Sequence, residues 1–288
     1  MKKLVYLIIL ILSSSFSSFA QKQKEKPVEL HSKHKNSAEL GVFLGGSYYI
    51  GDLNPTGQFV FTKPAGGLMF RYNFNPRIAA RASFMVGSIE GHDSYSTSAS
   101  QKQRNLNFKS MIDEFSVQFD FNFLDYRIGL EKEKFSPYIF LGLGVFNFNP
   151  QGQLANGNYV ALQPLRTEGE GLDGGSMGKP YKLTQISIPF GVGFKTNVSR
   201  KMGITGEWGF RKTFTDYLDD VSGKYYNPNN LSAQNAAYLS DPSKGTDPNY
   251  GNVGRQRGNA TTKDWYVFAG IIISFELKQK REKCPGFK

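Results

Sequence analysis

Cysteine and histidine are scarce in this chain. One cysteine in 288 residues rules out an internal disulfide framework and any multi-cysteine zinc or iron–sulfur site. Three histidines leave little material for a histidine metal cluster. After the N-terminal segment, no stretch approaches the roughly 18 consecutive apolar residues that a membrane-spanning helix needs. We therefore expect no metal, no other cofactor and no α-helical membrane protein.

The first twenty residues have the features of an export signal. Two lysines precede an apolar core from Leu4 to Leu12, and the small residues Ser18 and Ala20 satisfy the cleavage rule. The sequence predicts a signal peptide over residues 1–20 and a mature chain outside the cytoplasm. A retained anchor helix is the alternative, which the short apolar core disfavours.

Positive charge collects at the two ends of the mature chain. The formal net charge of +11 becomes +9 without the two lysines of the signal. Residues 21–36 contribute +3 and residues 278–288 contribute +4, which leaves +2 for everything between them. A nucleic-acid-binding domain would be expected to show a basic face within its fold. The ends are therefore either solvated tails or contacts for an acidic protein or envelope partner, and no nucleic-acid partner is expected.

Residues alternate between apolar and polar from Ala38 onward, with a period of two. The clearest run is residues 114–123, in which one face is entirely aromatic or aliphatic and the other carries acids, amides and a serine. The apolar face consists of Phe115, Val117, Phe119, Phe121 and Phe123. An apolar outer face and a polar inner face are typical of a strand in a lipid-facing barrel.

Eight segments share this character, each close to the roughly 9–11 residues of a tilted membrane strand. They are residues 38–50, 65–74, 78–89, 114–123, 137–148, 183–195, 202–214 and 264–277. Their connections alternate between short turns (75–77, 124–136 and 197–201) and long loops (51–64, 90–107, 149–182 and 216–263). This alternation is typical of the two ends of an outer-membrane barrel.

The sequence therefore predicts an all-β fold, an eight-stranded antiparallel transmembrane β-barrel over residues 37–277 with long extracellular loops. An even number of strands places both basic segments, 21–36 and 278–288, on the periplasmic side. A soluble lipocalin-like barrel is the alternative, and it requires an apolar interior. The loops at 149–182 and 216–263 are longer than a plain membrane anchor requires.

Charged residues lie on the predicted inner face. A barrel of eight strands has an interior just wide enough to be filled by side chains. Uncompensated buried charge is costly, so these residues predict a sealed network of ion pairs rather than a conduction path or a catalytic carboxylate pair. The members of this candidate network are Arg71, Arg81, Glu114, Asp120, Lys195, Glu207 and Arg211.

No residue pattern predicts an enzyme. His31 and His34 lie in the N-terminal tail and His92 lies in a loop, so no histidine on a strand is placed to activate a nucleophile. The acidic stretch 216–220 lacks the spacing of a calcium loop. We expect it to form a structured loop whose carboxylates contact Arg255 or Arg257.

Aromatic residues at the predicted strand ends suggest an interfacial girdle. They are Tyr48, Tyr49, Tyr126, Trp265 and Tyr266.

The single cysteine, Cys284, follows the last predicted strand among Lys280, Arg281 and Lys283. Nearby cations favour the reactive thiolate. An unpaired cysteine in an exported protein suggests either an intermolecular disulfide or a free thiol, so Cys284 is a candidate for the former. The alternative is an idle tail residue.

Several segments resemble the PorG family, the outer-membrane barrel component of the Bacteroidetes type IX secretion system. They are ELGVFLGGSYYIGDLNP (39–55), NPRIAARAS (75–83), GEWGFRKTFTDYLDDVSGKYYN (206–227), RGNATTKDWYVFAGIIISF (257–275) and the terminal Cys284-Pro285. The segment 206–227 is the most specific. The resemblance implies a non-enzymatic protein of the outer membrane that docks to a periplasmic ring of PorK- and PorN-like proteins and supports export and gliding machinery. A general surface protein or adhesin acting through its extracellular loops is the alternative.

Overall fold

The computed structural model describes residues 36–54, 57–129, 134–245 and 251–277. Within them, every segment predicted to be a strand forms one. The barrel strands are β1 (Ser37–Ile50), β2 (Lys63–Asn73), β3 (Ile78–His92), β4 (Asn107–Asn122), β5 (Phe135–Phe148), β8 (Thr184–Asn197), β9 (Met202–Thr213) and β10 (Trp265–Leu277). Between β5 and β8 lies a small hairpin of β6 (Gln151–Gln153) and β7 (Tyr159–Ala161).

The eight long strands close into a ring. Each pairs antiparallel with its neighbours in the order β1, β2, β3, β4, β5, β8, β9, β10. Strand β1 closes the ring by pairing with β10, in a register that runs from Ala38 opposite Leu277 to Ile50 opposite Trp265. Closure leaves no free edge among these strands. The predicted eight-stranded antiparallel barrel is therefore confirmed.

The outer surface of the barrel is apolar. On β4 the residues Phe115, Val117, Phe119 and Phe121 are 42–60% exposed, while the residues between them are buried. The other strands contribute further exposed large side chains, among them Leu40, Val42, Leu44, Leu68, Phe70, Phe84, Ile139, Leu141, Leu143, Val145, Ile186, Val192, Phe194, Trp208, Ile271 and Phe275. Soluble monomers rarely expose a continuous apolar surface of this extent.

The interior has two parts. Towards the short turns it is filled by charged and polar side chains such as Asp120 and Arg71. Towards the long loops it is filled by an apolar cluster that includes Phe43, Phe108, Phe146, Phe148 and Phe268. The predicted polar inner face therefore lines the turn end of the interior, whereas the apolar cluster fills the loop end and continues into the loops.

The long loops form one packed layer over the end of the barrel. We call their described parts, within 51–62, 93–106, 149–183 and 214–264, the cap. Short helices lie in it at Ala99–Arg104 and Ala236–Ser240. Its apolar core contains Leu53, Leu106, Leu162, Leu218, Val221 and Leu239, all buried and continuous with the interior cluster. In the part of the chain that is described, no helix has the length and apolar character needed to cross a membrane.

Candidate functional site

Asp120 on β4 is the centre of the ion-pair network at the turn end of the interior. Its carboxylate lies 2.9 Å from Nε of Arg71, 3.0 Å from Nζ of Lys195 and 3.5 Å from Nε of Arg81. Arg71 extends the network to Glu39 on β1, with Nη1 2.8 Å from Oε2. All five side chains are almost completely buried.

Ion pairs also cross the interior of the barrel. Arg81 on β3 pairs with Glu207 on β9, four strands away around the ring of eight. Tyr138 donates a hydrogen bond to the same carboxylate. Glu114 on β4 pairs with Nε of Arg211 at 3.2 Å. Bridges between opposite walls occupy the lumen where a channel would run.

The interior network is electrically balanced. Within the described strands it contains four cations (Arg71, Arg81, Lys195 and Arg211) and four carboxylates (Glu39, Glu114, Asp120 and Glu207). Three of the cations also lie over aromatic rings, with centroid distances of 4.1–4.8 Å. Paired charges and aromatic faces offset part of the cost of removing these cations from water.

The structure brings together all seven residues of the candidate network. Glu39 is the member that sequence reasoning missed, although its place between outward positions of β1 puts it on the inner face. Tyr266 was also missed: its hydroxyl donates to Oε2 of Glu114 at 2.7 Å.

The expected aromatic girdle is wrong for four of its five residues. Tyr49 and Tyr266 point inward and are fully buried, because carboxylates inside the barrel and the cap accept their hydroxyl hydrogens. Tyr126 is buried at the turn end. Tyr48 is covered by Phe59 and accepts a hydrogen bond from Nε1 of Trp208 at 2.9 Å. Trp265 alone among the five keeps a partly exposed side chain.

The acidic stretch 216–220 lies at the centre of the cap. Arg257 reaches Oδ2 of Asp220 at 3.8 Å and Oε1 of Glu168 at 3.1 Å. Glu168 also accepts hydrogen bonds from the backbone nitrogens of Ser222 and Gly223, both at 2.9 Å. The predicted contact with Arg257 is therefore confirmed, and Glu168 is the partner that the sequence did not indicate.

A second group of acids in the cap surrounds one tyrosine hydroxyl. The hydroxyl oxygen of Tyr49 lies 2.5 Å from Oδ2 of Asp219 and 2.9 Å from Oδ1 of Asp264. A phenol has one hydrogen to donate, so the second contact needs a hydrogen on a carboxyl. Burial raises the pKa of both Asp219 and Asp264 well above the usual range, which agrees with a protonated carboxyl there.

Other acids of the cap are also held towards their neutral form. Burial raises the pKa of Asp220 to about 6, while Arg257 acts in the opposite direction. Burial and the nearby Asp220 raise the pKa of Glu170 to about 8. Among the described residues, the buried part of the cap contains more carboxyls than cations, and neutral carboxyls relieve this imbalance.

The remaining sequence candidates have no site around them in the described residues. The expectation that His92 lies in a loop is wrong, because it is the last residue of β3; its ring packs against Phe61 and Tyr95 at centroid distances of 5.4 and 6.0 Å. Across the described ranges, no group of three or more His, Cys, Asp or Glu residues has a metal-binding arrangement. Cys284, His31, His34, the signal peptide and the basic tail 278–288 lie outside the described residues.

A closed barrel of eight strands, apolar outside and filled with paired charges inside, has the architecture of a small outer-membrane barrel. The chain belongs to the family described as "Domain of unknown function (DUF6089)", which it matches over residues 28–238. No curated protein matches it significantly.

Solved structures with a similar strand arrangement include several bacterial outer-membrane proteins. Ail, the attachment invasion locus protein of Yersinia pestis, is 10% identical, with 84% of this chain and 99% of that chain covered and a TM-score of 0.40. The N-terminal β-barrel domain of Pseudomonas aeruginosa OprF is 11% identical, with 85% and 100% covered and a TM-score of 0.37. A major outer membrane protein from Thermus thermophilus is 10% identical, with 85% and 100% covered and a TM-score of 0.39.

Proposed function

We propose that the chain is a non-enzymatic, non-conducting barrel of the outer membrane that anchors or supports a periplasmic ring of a secretion machinery. The observation that carries the membrane placement is the exposed apolar stripe on the barrel strands, combined with an interior of paired charges. Hydrocarbon covers such a stripe without cost, whereas water does not.

The proposed orientation puts the cap outside the cell and both termini in the periplasm. Support comes from the pairing of β1 with β10, because the first strand begins and the last strand ends at the turn end of the barrel. An epitope inserted at the exposed hairpin tip 155–157 should be stained on intact cells. The same epitope after residue 288 should be stained only after the outer membrane is permeabilised. The reverse result would overturn the orientation.

The bridges across the lumen support the proposed absence of conduction. The purified chain in a planar bilayer should give no defined conductance steps. The double variant Arg81→Ser, Glu207→Ser removes one ion pair without changing the net charge. It is the matched control, because the loss of this bridge partly opens the lumen. Steady conductance by the unmodified chain would contradict a sealed barrel.

The link to type IX secretion rests on the resemblance to the PorG family. Its most specific segment, 206–227, contributes Glu207 and Arg211 to the interior network and Asp219 and Asp220 to the cap. Much of the likeness therefore falls on residues that hold the fold together. The proposed partners are PorK- and PorN-like ring proteins, contacted by the basic segments 21–36 and 278–288.

Deletion of residues 278–288 tests this partner contact. Purification in mild detergent should recover ring proteins with the full chain but not with the tail deletion, while heat-modifiable migration shows that both barrels are folded. Deletion of the hairpin tip 155–157 is the control and should leave recovery unchanged. Recovery of the ring by the tail-deleted chain would overturn the proposed contact.

Cys284 would strengthen the same contact if it forms the predicted intermolecular disulfide. A higher-mass species should then appear on non-reducing gels, disappear with reductant and be absent from Cys284→Ser. Complete labelling of Cys284 in untreated cells by a membrane-permeant thiol reagent would exclude the bond.

A surface-binding role is the second candidate, and the order of the cap favours it. Four loops bury a common apolar core with Leu162, Leu218 and Leu239, which a plain anchor does not need. If variants of the cap abolish the function of the protein in cells while deletion of residues 278–288 has no effect on it, the surface-binding role replaces the assembly role.

A further inference from the structure

The cap contains one polar pocket that the proposed anchoring role does not use. Its volume is about 290 Å³, just below the roughly 300–1,000 Å³ of small-molecule sites. Its walls come from three loops, with Asp52 from the first, Gln101 and Arg104 from the second, and Tyr225 and Asn259 from the last.

The walls of the pocket are fixed to one another. Arg104 binds Asp93 through two nitrogens, each at 2.7 Å, and donates to the backbone oxygens of Asp52 and Arg257 at 3.0 and 2.7 Å. Oδ2 of Asp52 accepts from the backbone nitrogen of Asn259 at 2.8 Å. A pocket built in advance spares its ligand the entropy cost of ordering loops.

Three arginines line the pocket, and each already has a partner within the protein; they are Arg104, Arg255 and Arg257. Nε, Nη1 and Nη2 of Arg104 all donate to the acceptors named above. Arg257 donates to Glu168 and to the backbone oxygens of Ser240 and Asp220. An anionic ligand would have to compete with these bonds, so the chemistry favours a ligand without charge.

Two lining residues retain hydrogen-bonding capacity. Among the described residues, the hydroxyl of Tyr225 and Oδ1 of Asp52 have no hydrogen-bond partner. A phenol can donate and accept, and a carboxylate can accept from a hydroxyl. Together they suit neighbouring hydroxyl groups on a small polar ring.

We propose that this pocket binds a neutral saccharide, one sugar residue at a time. Tyr225 and Asp52 hydrogen-bond its hydroxyls, and Arg104 acts as a positioning residue that holds the walls. The inference concerns the cap alone and stands or falls separately from the proposed anchoring role.

The test uses the full chain in a detergent without a sugar headgroup. Saturation-transfer NMR with the methyl glycosides of glucose, galactose, mannose, fucose and N-acetylglucosamine should show saturable, millimolar binding of at least one of them. Tyr225→Phe and Asp52→Asn should each weaken that binding about 2–10-fold, the usual effect of one hydrogen bond. Gln103→Ala is the control, because Gln103 is exposed on the same short helix and does not line the pocket.

Three results would overturn the inference while heat-modifiable migration shows a folded barrel. The first is no saturable signal from any of the methyl glycosides. The second is binding of glucose 6-phosphate without binding of any neutral glycoside, which would indicate an anion site. The third is unchanged affinity in the Tyr225→Phe, Asp52→Asn double variant.

Discussion

Asp120→Asn should destabilise the barrel strongly while changing its shape very little. The carboxylate of Asp120 contacts Arg71, Arg81 and Lys195 in the barrel interior, and none of these side chains is more than 2% exposed. The amide that replaces it has almost the same volume but no charge. Three buried cations are then left with two carboxylates nearby, on Glu39 and Glu207.

The expected cost is about 3–5 kcal/mol of the free energy of unfolding, which is typical when one partner of a buried ion pair is removed. Asp125→Asn supplies a matched control on the same chain. Asp125 pairs with Nε of Arg77 at 2.7 Å, but both side chains are about half exposed, at 47% and 52%. Its loss should cost about 0–1 kcal/mol.

Urea titration in lipid vesicles, followed by heat-modifiable migration and tryptophan fluorescence, measures both variants against the unmodified chain. Lys195→Met removes one of the three cations, so adding it to Asp120→Asn should restore part of the lost stability. A coupling of about 0.5–3 kcal/mol is expected for residues in one network. If Asp120→Asn is as mild as Asp125→Asn, or Lys195→Met worsens it additively, the interior is not held by charge pairing.

Three further predictions concern the apolar stripe on β4, the cap, and the hydrogen bond between Tyr266 and Glu114 inside the barrel. Phe119 is 60% exposed and should face lipid. Phe119→Arg should therefore lower the free energy of unfolding in vesicles by about 2–4 kcal/mol, whereas Phe119→Leu should change it little. Equal folded bands of the two variants on heat-modified gels would contradict this facing. The raised pKa values of Asp220 (about 6) and Glu170 (about 8) mean that the folded cap holds protons that the unfolded chain releases near pH 4. The contribution of these two carboxyls to cap stability should therefore be complete below about pH 4 and fall as pH rises to about 8. Hydrogen exchange of the cap amides, corrected for its intrinsic pH dependence, measures this fall in stability. The dependence of protection on pH should be flatter in Asp220→Asn. Protection that rises with pH would refute the prediction. Tyr266→Phe removes a 2.7 Å hydrogen bond to a carboxylate and should cost about 1.5–3 kcal/mol in urea titration, whereas no loss would show that Arg211 alone holds Glu114.

Strand positions and the facing of their residues could be predicted because both depend on a local period of two. The alternation of Phe119 with Gln118 and Asp120 is visible in any short window of the sequence, and the barrel keeps it. The same logic placed Arg81 and Glu207 inside the lumen, although their contact joins residues far apart in the chain.

The cap and its acids could not be predicted in this way. The contact between Glu168 and Arg257 spans 89 residues and joins two irregular loops, so no periodic pattern in the sequence predicts it. The predicted girdle was wrong for the tyrosines for a related reason. Tyr49 and Tyr266 lie at strand ends, where a girdle is the usual expectation, but their hydroxyls are held by Asp219 and Glu114. Their direction depends on acids that other strands and loops supply.

The charges inside the barrel also control how the strands align. A shift of β4 by two residues would leave its outer stripe just as apolar, since phenylalanine or valine occupies each alternate position from Phe115 to Phe121. The same shift would carry Asp120 about 7 Å along the strand, at roughly 3.4 Å per residue, and beyond the reach of Arg71 and Lys195. Lipid therefore selects which face of β4 turns outward, whereas the arginines and the lysine select its register against its neighbours.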